Sequence, residues 1–156
     1  MKIQSLVAPA VLLCLVACSH EPSRGKKAQE AHSHMIQALL TYNEQRKSDF
    51  SSDKKMIDVM DRLSMEIRKH QDPKRFGTIQ GDALVSLVAN DTAEIREIFV
   101  KRIFDLGLSQ PMAMITPQQR EVLKVLDTYY KGFLQAMEPD MKAIKALEDQ
   151  ISKAGK

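Results

Sequence analysis

The chain has 156 residues, with 23 lysines and arginines against 20 aspartates and glutamates, four histidines and two cysteines. That length supports one packed domain, and the interspersed, nearly balanced charge speaks against a nucleic-acid-binding surface or a strongly anionic partner. Tryptophan is absent while methionine occurs nine times, so the core must rest on aliphatic and thioether side chains.

Lys2 gives a short positive start, and Leu6 to Ala17 form an apolar run that contains Pro9. The run is too short to span a bilayer, which takes about 20 apolar residues, and it has the proportions of a secretory leader. It closes in Leu15-Val16-Ala17-Cys18, which resembles the lipobox of bacterial lipoproteins. The resemblance implies cleavage before Cys18, a diacylglycerol thioether on its sulfur and acylation, usually with palmitate, of its new amino group. Residues 1–17 then form a lipoprotein signal peptide, and Cys18 anchors the remainder to a membrane. Each buried acyl methylene contributes about 0.8 kcal/mol, so several chains on one residue make release negligible. Ser19 is not the aspartate that would resemble an inner-membrane retention signal, which points to the outer membrane, facing the periplasm. Cys14 leaves with the leader and Cys18 carries lipid, so no disulfide is expected.

Residues 18–25 are polar and include Pro22 and Gly25, the composition of a short flexible tether. The domain proper is expected over 26–156. From Lys26 to Lys47, Ala28, Ala31, Met35, Ile36, Leu39 and Leu40 recur at helical spacing. Ser48 to Ser52 break this helix, and Asp53 is placed to cap the next. There Met56, Met60, Leu63 and Ile67 share one face, until Asp72-Pro73 stops the helix. Phe76 and Ile79 are expected to tuck against the core from a loop. Asp82 to Val88 fits a short helix or a strand, and its helical surroundings favour helix. Asn90 or Asp91 is expected to cap a further helix bearing Ile95, Ile98, Phe99, Ile103 and Leu106, with Gly107 as its terminator. After a turn at Ser109-Gln110-Pro111, Thr116-Pro117-Gln118-Gln119 offers an N-cap, a first-turn proline and a capping box. The helix behind it carries Val122, Leu126, Tyr129, Phe133 and Met137, the widest apolar stripe in the chain, and is expected at the centre of the core. Glu138-Pro139-Asp140 should kink or restart it. The reading is all-α, a compact bundle of about five or six helices of unequal length.

Chemistry-bearing residues are sparse. His32 and His34 lie two apart and would face different sides of a helix, whereas Glu30/His34 and Glu66/His70 offer only two ligands each. A closed metal site needs three or four, so the histidines read as solvated surface residues, and no metal or cofactor is assigned. The sequence has neither a Gly-x-Ser-x-Gly elbow nor a glycine-rich phosphate loop, and an enzyme is not expected. Acidic pairs such as Asp58/Asp61 and Glu94/Glu97 read as solvated helix surface. Arg68, Lys69, Lys74 and Arg75 flank the Pro73 turn as a contact for lipid head groups or peptidoglycan, or as a charged helix end complementing the macrodipole. Met35, Met56, Met60, Met65, Met137 and Met141 fall on or beside apolar stripes. Met112 and Met114 stand in a loop, where adaptable thioethers suit partner contact.

Ile115-Thr116-Pro117-Gln118-Gln119 resembles the LTxxQ motif of the Spy/CpxP-like periplasmic proteins, in which such a segment opens a long helix. Leu87 to Thr92 echoes an upstream helix junction of that family, while Ile115 departs from its leucine. The resemblance implies an all-helical envelope protein, often dimeric, that binds unfolded clients without ATP or reports to a membrane sensor. The composite expectation is a non-enzymatic, membrane-anchored envelope lipoprotein whose helical domain binds another envelope protein. Chaperone-like client binding is one form, and a pilotin-like assembly accessory or exclusion lipoprotein is another. A structural protein touching peptidoglycan or lipid is the reading from a different class.

Overall fold

The computed structural model describes residues 23–106 and 114–156. Cys18, Gly107, the turn at 109–111 and Met112 lie outside the described residues. Within them the chain is all-α, with four α-helices, one 3-10 turn and no strand. Helix α1 is Arg24–Asp49, α2 is Lys54–Lys69, α3 is Asp82–Phe104 and α4 is Pro117–Ala154, with the 3-10 turn at Pro73–Arg75. Four helices replace the five or six expected because two anticipated breaks are absent. Asp82 to Val88 forms the first turns of α3, and Asn90 and Asp91 lie inside that helix rather than capping a new one. Helix α4 likewise continues through Pro139.

Local side chains set the helix starts. Ser23 Oγ accepts from the Lys26 amide at 3.4 Å, so α1 opens at Arg24 rather than at Lys26. Asp53 Oδ1 accepts from the Lys55 and Met56 amides at 3.0 and 3.1 Å. Thr116 Oγ1 accepts from the Gln119 amide at 3.2 Å, and Gln119 Oε1 accepts from the Thr116 amide at 2.8 Å, which completes the capping box. Each such cap contributes about 1 kcal/mol. Helix α3 has no side-chain cap, and Gly81 leads into it at φ 66°, where a Cβ would be strained.

Pro139 deprives the interior of α4 of one backbone hydrogen bond at an exposed position. Pro139→Ala is therefore expected to raise the unfolding free energy by about 2–3 kcal/mol. Urea denaturation checks it, and an unchanged midpoint would show that water satisfies the released carbonyl without cost.

Helices α1 and α3 form the central pair, with α2 and α4 on opposite flanks and their backbones not adjacent among the described residues. The central pair runs parallel: Gly25 lies against Gly81, and His32 against Asp91. Helix α4 runs antiparallel to α1, meeting Tyr42 near its start and Ala28 and Ala31 near its end. The expected central position of α4 is thus corrected. Its buried residues, Leu126, Tyr129, Phe133, Met137, Ile144 and Leu147, form a single stripe, and Val122 is 46% exposed. Helix α1 takes the centre because small residues on several sides admit close neighbours. A Cβ on Gly25 would lie 3.0 Å from the Gly81 nitrogen.

The core falls into two apolar clusters. The larger stacks Phe99 on Phe133, with centroids 4.0 Å apart, among Met35, Leu39, Met60, Leu63, Ile67, Ile95 and Met137. The smaller joins Ala28, Ala31, Leu84, Val85, Val88, Ile144 and Leu147 with Phe76, which packs inward from its loop as expected. In sequence, His32 falls between the two clusters on α1 and Asp91 between them on α3. The boundary between the clusters is polar.

Candidate functional site

Three segments bring charge to that boundary. The α1 stripe that buries Ala28, Ala31 and Met35 also buries His32, because position 32 shares their side. Helix α2 ends at His70, its C-cap, and Asp72 then accepts from the Lys74 amide at 2.9 Å to fold the turn that carries Arg75. Asp91 and Glu94 stand three residues apart on α3. Asp91, His32 and His70 are 1%, 3% and 4% exposed.

The Asp91 carboxylate is the hub. Its Oδ2 lies 2.6 Å from His32 Nε2, and its Oδ1 lies 2.8 Å from His70 Nδ1 and 2.5 Å from Arg75 Nη1. Burial pushes the Asp91 carboxyl up, but the hydrogen bonds from His32 and His70 outweigh it and hold the group well below the usual carboxylate range. An ionised carboxylate only accepts, so both imidazoles donate to it. Arg75 Nη1 also lies 3.2 Å from His70 Nδ1, two donors brought close by their shared acceptor. Arg75 Nη2 reaches Glu94 at 3.5 Å, and the ring of Phe76 meets the His32 ring edge-on at 4.8 Å. A cavity of about 70 Å³ beside the hub is lined by His32, His70, Gln29, Ser33, Gln71 and Phe76. That is room for about two waters at ~30 Å³ each, not for an organic substrate.

His32 and His70 correct the expectation of solvated surface histidines, which holds for His34 alone among the described residues. Glu66, matched with His70 by spacing, instead meets Lys69 at 3.1 Å and Arg102 of α3 at 3.2 Å. Of the basic turn, Arg68, Lys69 and Lys74 face outward, whereas the Arg75 guanidinium folds back onto Asp91. Met114 is 70% exposed. His70, Asp91 and Glu94 are the residues able to hold a metal, with one ligand atom from each lying within 4.8 Å of the others. Sequence spacing could not assemble this set, since His32 and His70 come from 59 and 21 residues away from Asp91. A usable signal was present all the same: a histidine and an aspartate each sit inside an otherwise apolar stripe.

The opposite side of α3 carries a second feature. Small residues Ala89, Thr92 and Ala93 face α4 one turn apart and leave a groove of about 760 Å³, floored also by Val100, Met141 and Ile144. A neighbouring depression of about 330 Å³ shares Arg96, Met141 and Lys145 with it and extends along α4 to Leu134. Together they follow α4 from Leu134 to Glu148, about 20 Å at 1.5 Å per residue. The rims carry both signs of charge. Among the described residues, Arg96, Glu97, Lys101, Lys145 and Glu148 make no ion pair, whereas Lys131–Asp127 and Lys142–Glu138 on α4 are paired at 2.6 Å.

These features define an all-α four-helix domain with a charged hub between two apolar clusters and an open apolar groove outside it. No family model matches the chain, and comparison with curated proteins and with solved structures finds no match either. No helix among the described residues is long and apolar enough to cross a membrane.

Proposed function

We propose that the protein is a lipid-anchored envelope protein whose helical domain binds an amphipathic helical segment of another protein in the α3–α4 groove. The observation that carries this reading is the groove itself, an apolar floor about 20 Å long between rims of both charge signs, on which Arg96, Glu97, Lys101, Lys145 and Glu148 make no ion pair among the described residues. Mixed rim charges suit a polypeptide carrying both signs. An acyl chain would leave them without counter-charges, and an anionic surface would match Arg96, Lys101 and Lys145 while leaving Glu97 and Glu148 without a partner. Helix-in-groove recognition uses this combination of apolar anchors and flanking ion pairs. The anchor rests on the lipobox resemblance at Leu15 to Cys18, and the outer-membrane, periplasm-facing location rests on it together with Ser19.

The test is site-specific photo-cross-linking in intact envelopes with the probe at Ala93 or Met141, and at Met65 of α2 as the control. Met65 is 58% exposed on a helix whose backbone is not adjacent to α4. Adducts to an amphipathic protein segment at the two groove positions, absent at Met65 and lost in Ala93→Arg, are expected. Equal labelling at Met65, or adducts only to lipid, would overturn the groove assignment. In the same cells Cys18→Ser should leave an unprocessed precursor without palmitate label, and a variant still cleaved and membrane-bound would overturn the anchor.

A further inference from the structure

We propose that the hub is a divalent-metal site of the zinc class, in which Arg75 is the internal cation that the metal displaces. The ligands are His70 Nδ1, an Asp91 oxygen and a Glu94 oxygen, which already lie within 4.8 Å of one another. Zinc binds imidazole nitrogen and carboxylate oxygen alike, and three protein ligands leave a further position for water. Tetrahedral coordination at about 2.0–2.1 Å places ligand atoms about 3.3–3.4 Å apart. Asp91 and His70, now 2.8 Å apart, need to part only slightly, and the exposed Glu94 side chain swings inward.

Three further observations fit a metal. The Asp91 oxygen facing His32 is held by its imidazole at 2.6 Å, the outer hydrogen bond that ligating carboxylates ordinarily receive. The Arg75 guanidinium bridges Asp91 at 2.5 Å and Glu94 at 3.5 Å, so a cation already occupies the space between the two carboxylates. It supplies one positive charge against two carboxylates, where a divalent ion matches both. The Arg75 side chain is 37% exposed on a surface turn, which opens a path for exchange. On binding, the His70 Nδ1 proton leaves to solvent, its lone pair goes to the metal, and the released guanidinium turns outward beside Lys74.

Titration calorimetry of zinc into the chelator-treated protein tests this. One zinc per chain is expected, with a dissociation constant in the micromolar range or below. Glu94→Gln should weaken binding at least about tenfold, and His70→Ala should abolish it. Arg75→Gln should tighten binding about tenfold, because it removes the competing cation, and couplings between ligands are commonly of that size. His34→Ala, at an exposed histidine, should change nothing. Glu94 and Arg75 have exposed side chains, so their variants keep the test sound even where His70→Ala does not fold. Absence of binding to the wild type, binding that survives Glu94→Gln, dependence on His34, or an Arg75→Gln variant that binds no more tightly would each overturn the site.

Discussion

Replacing Asp91 with alanine is expected to lower the unfolding free energy by about 3–5 kcal/mol, as removal of one member of a buried charge pair does. The carboxylate accepts from His32 and His70 and pairs with Arg75, so its loss strips three donors of one acceptor. Two of those donors are buried imidazoles, with little water to replace the bond. Arg75 suffers least, because its guanidinium can turn to solvent. A contrast isolates the effect of burial. Asp61 pairs with Lys47 at 2.5 Å, a shorter contact than either imidazole makes, but its side chain is 50% exposed. Asp61→Ala should therefore cost less than about 1 kcal/mol. Urea denaturation in the presence of a chelator reads both variants without any metal contribution. Equal losses would show that the hub adds no more than a surface pair. Because the hub joins α1, the end of α2, the Arg75 turn and α3, amide exchange in Asp91→Ala should quicken first over residues 70–81.

The helices were legible in the sequence wherever one side of a helix faces water. Met56, Met60, Leu63 and Ile67 recur on a single face, and α2 buries that face. Thr116 and Gln119 carry their own capping chemistry and needed no tertiary context. Helix α3 was harder, because its apolar residues leave no clean stripe to follow and Asn90-Asp91 interrupts them. A buried Asp91 in mid-helix resembles an N-cap in sequence, and only its distant partners make its position tolerable. The same reasoning explains α1 and α4. A wide apolar stripe measures how much surface a helix can bury, while centrality depends on how closely neighbours approach, which small residues such as Gly25 and Ala28 decide. Neither the hub nor the groove was visible in spacing. The hub joins residues from three separated segments, and the groove exists because Ala89 and Ala93 are too small to fill it.

The α1–α4 contact should fail in two separable ways, one steric and one electrostatic. The Tyr42 hydroxyl donates to the Tyr129 carbonyl at 2.9 Å, which brings its ring onto the backbone of α4 at Gly132. A Cβ there would lie 2.8 Å from Tyr42 Cζ, and the ring is braced by its stack on Tyr129 at 5.4 Å. Gly132→Ala is thus expected to cost about 1–3 kcal/mol through overpacking, despite the better helix propensity of alanine. Tyr42→Phe in the same chain should recover part of the loss by removing the nearest atom. The electrostatic arm concerns Tyr129, whose hydroxyl donates to Asn43 Oδ1, while Asn43 Nδ2 donates to Ser64 Oγ at 3.1 Å. Burial, with a smaller push from Tyr42, raises the Tyr129 phenol well above its usual range. The folded state therefore keeps this proton at pH values where the unfolded chain has released it. The resulting stabilisation is complete below about pH 10 and declines above it, by at most about 1.4 kcal/mol per pH unit. Tyr129→Phe should cost about 1–3 kcal/mol at neutral pH, because Asn43 Oδ1 loses its donor. It should also flatten the alkaline limb relative to wild type. Parallel limbs above pH 10 in the two proteins would place the phenol in contact with water and refute the buried Tyr129–Asn43 bond.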